Sequence, residues 1–322
     1  MLLNHRRLAT LATLPLLGLA LTACGDDAEA DDAAAAGETI TVTDALGEEE
    51  VPLNPESVVV FDMGVLDTLD TLGVDAVTGV AKGGAIPSYL TKYESDEYVT
   101  VGDLFEPDLE AIPQTEPDLI IVGGRSAPMH DTLEDTFDGV PVLDLSVDSG
   151  DYLDSTRENV ETLASIFEKT DEAADILAGY DERIAAVAEQ ADGAGKALVL
   201  LTSGGEVTAY SVNSRFGFLH DVFGVEAATG ELGDEESRHG EAVSFEFVRE
   251  ANPDLLYVVD RDAAIGEEGK SAEEILDNQL VRATSAWKND KVTYVDAEAW
   301  YIVTGGLTSL GTLIDDVEAG LS

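Results

Sequence analysis

Cations are scarce in this chain, and where they stand decides what chemistry it can do. Among 322 residues, 66 are Asp or Glu and 17 are Lys or Arg, a net charge of −49. Apart from Arg6 and Arg7, the arginines are 125, 157, 183, 215, 238, 249, 261 and 282. Arg157, Arg183, Arg249 and Arg282 fall in helical patterns. Arg125, Arg215, Arg238 and Arg261 fall in loops expected at strand ends or lobe edges. A guanidinium is always charged, planar and able to fork two hydrogen bonds onto carboxylate or catecholate oxygens, and it tolerates partial burial. A few of them converging in so acidic a protein make a locally positive cleft that selects an anion. The alternative is that each is tied up in a surface ion pair, since exposed pairs are common.

Two of these arginines close a repeated unit. Residues 110–125 and 246–261 share a Glu (Glu110, Glu246) seven residues before a Pro (Pro117, Pro253), then Asp-Leu, an apolar run and an Arg (Arg125, Arg261). The pattern reads as a short helix, a Pro that ends it, a buried strand, and a cation just past the strand's carboxyl end. Ligands of open α/β sheets gather at that edge. One such unit is commonplace; two in register, each with its Glu, imply two similar lobes.

The elements that must position these residues alternate strand and helix. Thr39–Thr43, Ser57–Phe61, Val77–Val80, Val99–Val101, Leu119–Val122 and Val140–Leu143 read as strands, with a helix over Val65–Leu72, so a first α/β lobe is expected over 38–153. Residues 154–192 read as a helical connector, its second part about 30 Å long at 1.5 Å per residue. A second α/β lobe follows over 193–322. In it, Asn213 or Ser214 is placed to cap a helix burying Phe216, Leu219, Val222 and Phe223. A closing helix runs from Leu307 to Val317. Lys82 and Tyr89 share a loop of the first lobe that faces the same edge.

The first segment is a targeting signal. His5, Arg6 and Arg7 precede an apolar run, then Leu21-Thr22-Ala23-Cys24. That run is short for a membrane span. Its last four residues look like a lipobox, which would make 1–23 a lipoprotein signal peptide, Cys24 the lipidated residue, and 24–37 a flexible acidic tether too poor in apolar side chains to order itself. A lone Cys allows no internal disulfide framework. The charge disfavours nucleic acid as a partner, and an acidic, lysine-poor exterior suits high salt, where self-repulsion is screened. A secreted α/β enzyme finds no support, for there is no Gly-x-Ser-x-Gly, phosphate loop or dinucleotide fingerprint.

Taken together, the lipobox, the duplicated unit, Ser214-Arg215-Phe216-Gly217, Arg238-His239-Gly240 with Ser244-Phe245-Glu246, Asp260-Arg261, and Trp300-Tyr301 with Gly305-Gly306 resemble the siderophore-binding lipoproteins of bacterial iron ABC importers. The likeness runs from about residue 38 to the end and is strongest to the branch taking ferric catecholate and mixed catecholate–carboxylate siderophores. It implies an α/β fold of two Rossmann-like lobes joined by a single long α-helix, with the anionic ferric complex between them. It places the three cleft arginines on Arg125, Arg215 and Arg261, and on His239 and Tyr301 the side chains that complete iron coordination when a siderophore supplies four donors. Fe(III) is hard, so phenolate and imidazole suit it. Trp300 is expected to line the site beside Tyr301. Arg238 departs from the family pattern; it would be a fourth cleft cation or point to solvent.

The resemblance further implies permease docking through Glu110 and Glu246. It implies an ABC permease with its ATPase as partner, no cofactor beyond the Fe(III)-siderophore ligand, no catalytic residues, a monomer, and anchoring by the lipid on Cys24 at the extracytoplasmic face of the cell membrane. A hydroxamate siderophore, haem or corrinoid is the alternative cargo, though a neutral one would not call for three arginines.

Overall fold

The computed structural model describes residues 38–83, 86–230, 232 and 240–322. The signal segment, Cys24 and the tether lie outside the described residues, as do Arg238 and His239. An antiparallel ribbon of β1 (Thr39–Thr43) and β2 (Glu48–Pro52) leads into β3 (Val58–Val60), α1 (Met63–Thr71), β4 (Val77–Val80), β5 (Val99–Thr100), β6 (Leu119–Val122), α2 (His130–Thr136) and β7 (Val142–Asp144). The five strands from β3 to β7 form one parallel sheet in the order β5-β4-β3-β6-β7. Every residue of β3 and β6 is fully buried. Their unbroken apolar runs are what a parallel sheet covered on both faces requires.

Two helices follow where the sequence suggests one continuous helical stretch. α3 (Tyr152–Ile166) and α4 (Thr170–Ala191) are separated by a corner at which Glu168 takes φ +55°. α3 packs Val160, Leu163, Ala164 and Ile166 into the first lobe, so it is not part of the connector. α4 alone carries the chain across. Ala173 and Leu177 near its start lie in the first core, and Ile184, Val187 and Ala191 near its end lie in the second. Its 22 residues span roughly 33 Å.

The second lobe comprises β8 (Lys196–Ser203), β9 (Glu206–Tyr210), α5 (Phe218–Asp221), β10 (Glu226–Ala227), β11 (Glu241–Ala242), α6 (Phe245–Ala251), β12 (Leu255–Asp260), α7 (Arg261–Ala264), α8 (Ala272–Leu276), α9 (Ser285–Lys288), β13 (Val292–Tyr294) and α10 (Leu307–Leu321). Its sheet runs β11-β9-β8-β12-β13, with β10 also on β8. β8, β10, β12 and β13 are parallel, and β9 returns antiparallel through the Gly204-Gly205 turn.

The duplicated unit folds the same way in both lobes. Glu116 and Asn252, the residues before each Pro, both adopt the left-handed conformation that stops the preceding helical turn. The following Asp then pins the neighbouring strand. Asp118 Oδ2 accepts the N–H groups of Glu56 and Ser57 ahead of β3, and Asp254 Oδ2 accepts that of Lys196 at the start of β8. In return, Asp118 N–H donates to Ser57 O and Asp254 N–H to Lys196 O, each at 2.8 Å. The Pro-Asp pair thus sets the register of β3 on β6 and of β8 on β12.

The C-terminal segment is shared between the lobes. Ile302, Val303 and Leu307 are built into the first core, whereas Leu310, Leu313, Ile314 and Val317 belong to the second. Asp67, buried on α1, accepts the N–H groups of Thr308 (3.1 Å) and Ser309 (2.9 Å), capping α10 from the opposite lobe. Glycine is required where the segment touches α1: a Cβ on Gly64 would lie 2.1 Å from Thr304 O, and one on Gly306 2.1 Å from Asp67 Oδ2. No helix among the described residues is long and apolar enough to cross a membrane.

Candidate functional site

The site is built on the turn that carries the chain from β13 to α10. Residues Glu298–Ile302 wind one π-helical turn, with Val303 N–H donating to Glu298 O, five residues back. The wider turn sends two neighbouring side chains in different directions. Trp300 turns into the second core, 3% exposed, stacked on Tyr257, with its indole N–H on Asp316 Oδ2 at 2.9 Å. Tyr301 turns outward and remains half-buried between the lobes.

Three arginines from three different loops converge on Tyr301. Arg125 comes from the first lobe, past the end of β6, where Gly123-Gly124 turns the chain and Ser126 Oγ accepts the Gly123 N–H. It reaches across to the second lobe's turn, donating Nη2 to Tyr301 O at 2.6 Å and Nη1 to Ile302 O at 3.1 Å. Arg215 also donates Nη2 to Tyr301 O, at 3.0 Å. Arg261 begins α7 directly after β12; its Nε meets the phenol oxygen of Tyr301 at 3.0 Å and its Nη1 donates to Ser203 Oγ at 3.1 Å. The three guanidinium carbons lie 4.8 Å (Arg215), 5.3 Å (Arg125) and 5.6 Å (Arg261) from the Tyr301 ring centre. These are cation–π distances.

The electrostatics follow from that arrangement. Burial alone would raise the Tyr301 phenol. The Arg261 hydrogen bond and the charges of Arg261, Arg125 and Arg215 outweigh it, leaving the group below its ordinary value. Arg261 is raised in turn, first by its bond to Tyr301. Asp262 and Glu267, at 3.7 and 3.9 Å from Arg261 Nη1, partly balance it. The helical arginines behave differently: Arg157, Arg183 and Arg282 sit in surface ion pairs with Asp181, Asp315 and Asp277. Of the four arginines the sequence places in loops, Arg125, Arg215 and Arg261 thus form a cluster, with Asp262 and Glu267 beside Arg261, and Arg238 lies outside the described residues; the helical arginines sit in surface ion pairs.

Other expectations need correction. Trp300 supports the site from behind instead of lining its open face; with Arg215 and Tyr152 it borders a small cavity of about 40 Å³. Ser214 does not cap a helix: its hydroxyl donates back to Ser211 O, Asn213 takes φ +58°, and α5 starts at Phe218 without a side-chain cap. The turn this makes is what delivers Arg215. Lys82 places its ammonium on the carbonyls of Ser95 and Tyr98, both at 2.7 Å. Glu110 and Glu246 are both exposed, Glu246 in the first turn of α6. Two residues escaped the sequence reading. Ser203, at the end of β8, holds Arg261, and Glu298 accepts both the N–H (2.9 Å) and the hydroxyl (2.7 Å) of Ser88 in the first lobe. A Ser at a strand end carries no signal of its own, and the Ser88–Glu298 contact exists only once the lobes meet.

Residues 58–299 match the family model described as Periplasmic binding protein. The petrobactin-binding protein YclQ of Bacillus subtilis is 37% identical over 98% of this chain and 99% of its own. The ferric-anguibactin-binding protein FatB of Vibrio anguillarum is 36% identical over 87% of each. Among solved structures, the periplasmic catecholate-siderophore binding protein VctP of Vibrio cholerae superposes with a TM-score of 0.82 at 33% identity, over 88% of this chain and all of that one.

Proposed function

This chain belongs to the periplasmic binding protein family, and on that premise we propose that it captures an anionic ferric siderophore between its lobes for delivery to an ABC permease and its ATPase. It is a binding protein and not an enzyme. The observation that carries the reading is the convergence of Arg125, Arg215 and Arg261 on Tyr301. A phenol oxygen and two carbonyl oxygens accept from these guanidiniums. A catecholate or carboxylate cargo offers the same acceptors with negative charge added, so exchange onto it is favoured. The names of YclQ, FatB and VctP support a siderophore as the cargo class.

In this reading the three arginines balance the charge of the complex. Tyr301, together with His239, supplies iron ligands when the siderophore fills only four positions, and Arg238 adjoins His239 as a further cation. The iron belongs to the cargo; the protein holds no cofactor of its own. A lipid on Cys24 keeps the monomer at the extracytoplasmic face of the membrane, and Glu110 and Glu246 meet the permease, one from each lobe.

The test is titration with a panel of ferric catecholates, followed by quenching of intrinsic fluorescence. Replacing Arg125, Arg215 and Arg261 together by Ala abolishes binding if the reading is right. Unchanged affinity removes them from the site, and a response only to neutral hydroxamate complexes overturns the cargo class.

A further inference from the structure

The loop after β5 carries an apolar side chain that the fold leaves outside. Phe105 is 72% exposed and Leu109 38%, the first the most exposed large apolar side chain among the described residues. Nothing about this loop is loose. Asp103 N–H donates to Glu106 O (3.0 Å), and Asp103 Oδ1 accepts from Phe105 N (2.7 Å) and Glu106 N (2.8 Å). Gly102 bridges to Pro107, and Asp108 N–H returns to Val101 O at 2.8 Å. Asp108 Oδ1 then accepts from Glu110 and Ala111, both at 3.1 Å. Gly102 holds φ +114°, where a Cβ would lie 2.3 Å from Glu106 O. Leu104 is the buried anchor. These bonds fix the backbone that carries Phe105, so the exposed ring is presented from a defined turn.

The sheet order sets the loop apart from the arginine cluster. β5 and β6 run parallel and end at the same edge, but β4 and β3 lie between them. Three strand spacings put the loop on the order of 14 Å to the side of the point where Arg125 emerges. Phe105 therefore stands on the first lobe, in the loop that also carries Glu110 and to the side of a cargo held by the arginines.

We infer that Phe105, with Leu109, is an apolar anchor that seats in a hollow of the permease's extracytoplasmic face, ringed by cations that meet Glu106 and Glu110. This rests on the reading of the chain as the delivery protein of an ABC importer. The charge around the ring chooses the occupant. Asp103, Glu106, Asp108 and Glu110 share its loop, and these carboxylates oppose approach to an anionic lipid surface. At low ionic strength a second copy of a chain with net charge −49 is repelled in the same way. A preformed aromatic at the centre of a contact, bordered by charge that fixes orientation, is the usual composition of a residue that dominates an interface.

The experiment uses the full lipidated chain with the permease and ATPase of its own genome in proteoliposomes, reading ATPase stimulation against binding-protein concentration. Phe105→Ser should raise the half-saturating concentration about tenfold, equal to about 1.4 kcal/mol, while Phe105→Leu stays near wild type and ferric-catecholate binding by either is unchanged. Stimulation by Phe105→Ser equal to wild type, in a series where Glu110→Gln with Glu246→Gln weakens it, overturns the apolar anchor and leaves the importer reading standing. Failure of the wild-type chain to stimulate the permease overturns both. Loss of ferric-catecholate affinity in Phe105→Ser makes the residue a cargo contact, and loss of binding to anionic vesicles without permease makes it a membrane contact; either outcome overturns the inference.

Discussion

The Nε of Arg261 stands 3.0 Å from the phenol oxygen of Tyr301, with Arg125 and Arg215 over the same ring. Tyr301 is held as an acceptor and its phenol is lowered, whereas burial raises the other shifted tyrosines. Burial pushes Tyr152, Tyr210 and Tyr294 up to about 12, and raises Tyr180 and Tyr257 as well.

Tyr301 should consequently be an early tyrosine to ionise. In a tyrosinate absorbance titration, the difference between wild type and Tyr301→Phe is expected to show one ionisation below the ordinary phenol value of about 10. Arg261→Ala should move that ionisation upward. Because the folded-state value is depressed, this group adds stability at pH above the ordinary value, and the contribution fades as pH falls through its folded value. Curves that coincide throughout the range below about pH 10 would sink the assignment.

Behind the site, Trp300 reports on a carboxyl. Burial pushes Asp316 up to about 6, against the pull of the N–H donors from Asp296 and the Trp300 indole, and with the help of the Asp296 and Asp315 charges. Trp300 fluorescence is therefore expected to titrate with a midpoint near pH 6, measured in a Trp287→Phe background. Asp316→Asn should flatten that transition. The sign for stability is opposite to that of Tyr301: the raised carboxyl favours the folded state below the ordinary carboxylate range and gives that advantage up as pH rises through about 6.

Two glycine substitutions should differ in sign. Gly64→Ala sets a Cβ 2.1 Å from the Thr304 carbonyl. Neither backbone segment can yield without parting α1 from the shared C-terminal segment, so a loss of about 1–3 kcal/mol is expected despite Ala's better helix propensity. Gly179→Ala, on the exposed side of α4 with no atom within 4 Å, should stabilise by about 0.5–1 kcal/mol. Urea unfolding measures both; equal effects would show that the contact between α1 and Thr304 is not tight.

What could be read from the sequence was whatever repeats or alternates. The paired Glu…Pro-Asp-Leu…Arg units carried their own strand, stop and cation, so two lobes and the positions of Arg125 and Arg261 were legible. The α3–α4 corner was not, because Glu168 in a left-handed conformation has no Gly or Pro to mark it. Nor was the direction of Trp300 against Tyr301, which depends on one extra residue in a helical turn. The contacts between lobes, Arg125 to Ile302 O and Asp67 to Ser309 N–H, join residues far apart in the chain with no pattern linking them.

The surface predicts a salt requirement. A net charge of −49 on 322 residues repels itself, and the Debye length falls from about 10 Å at 0.1 M salt to about 3 Å at 1 M. Most of the acidic side chains are exposed, and among the described residues few ion pairs join distant parts of the chain; Arg183 with Asp315, between α4 and α10, is one. Screening thus relieves far more repulsion than it removes attraction. The urea midpoint should rise steadily from low to molar salt, with the arginine cluster's affinity for an anionic cargo falling over the same range. The two trends oppose each other because one concerns like charges spread over the surface and the other a few cations facing an anion. Equal stability at all salt concentrations would mean that the acidic exterior serves something other than high ionic strength.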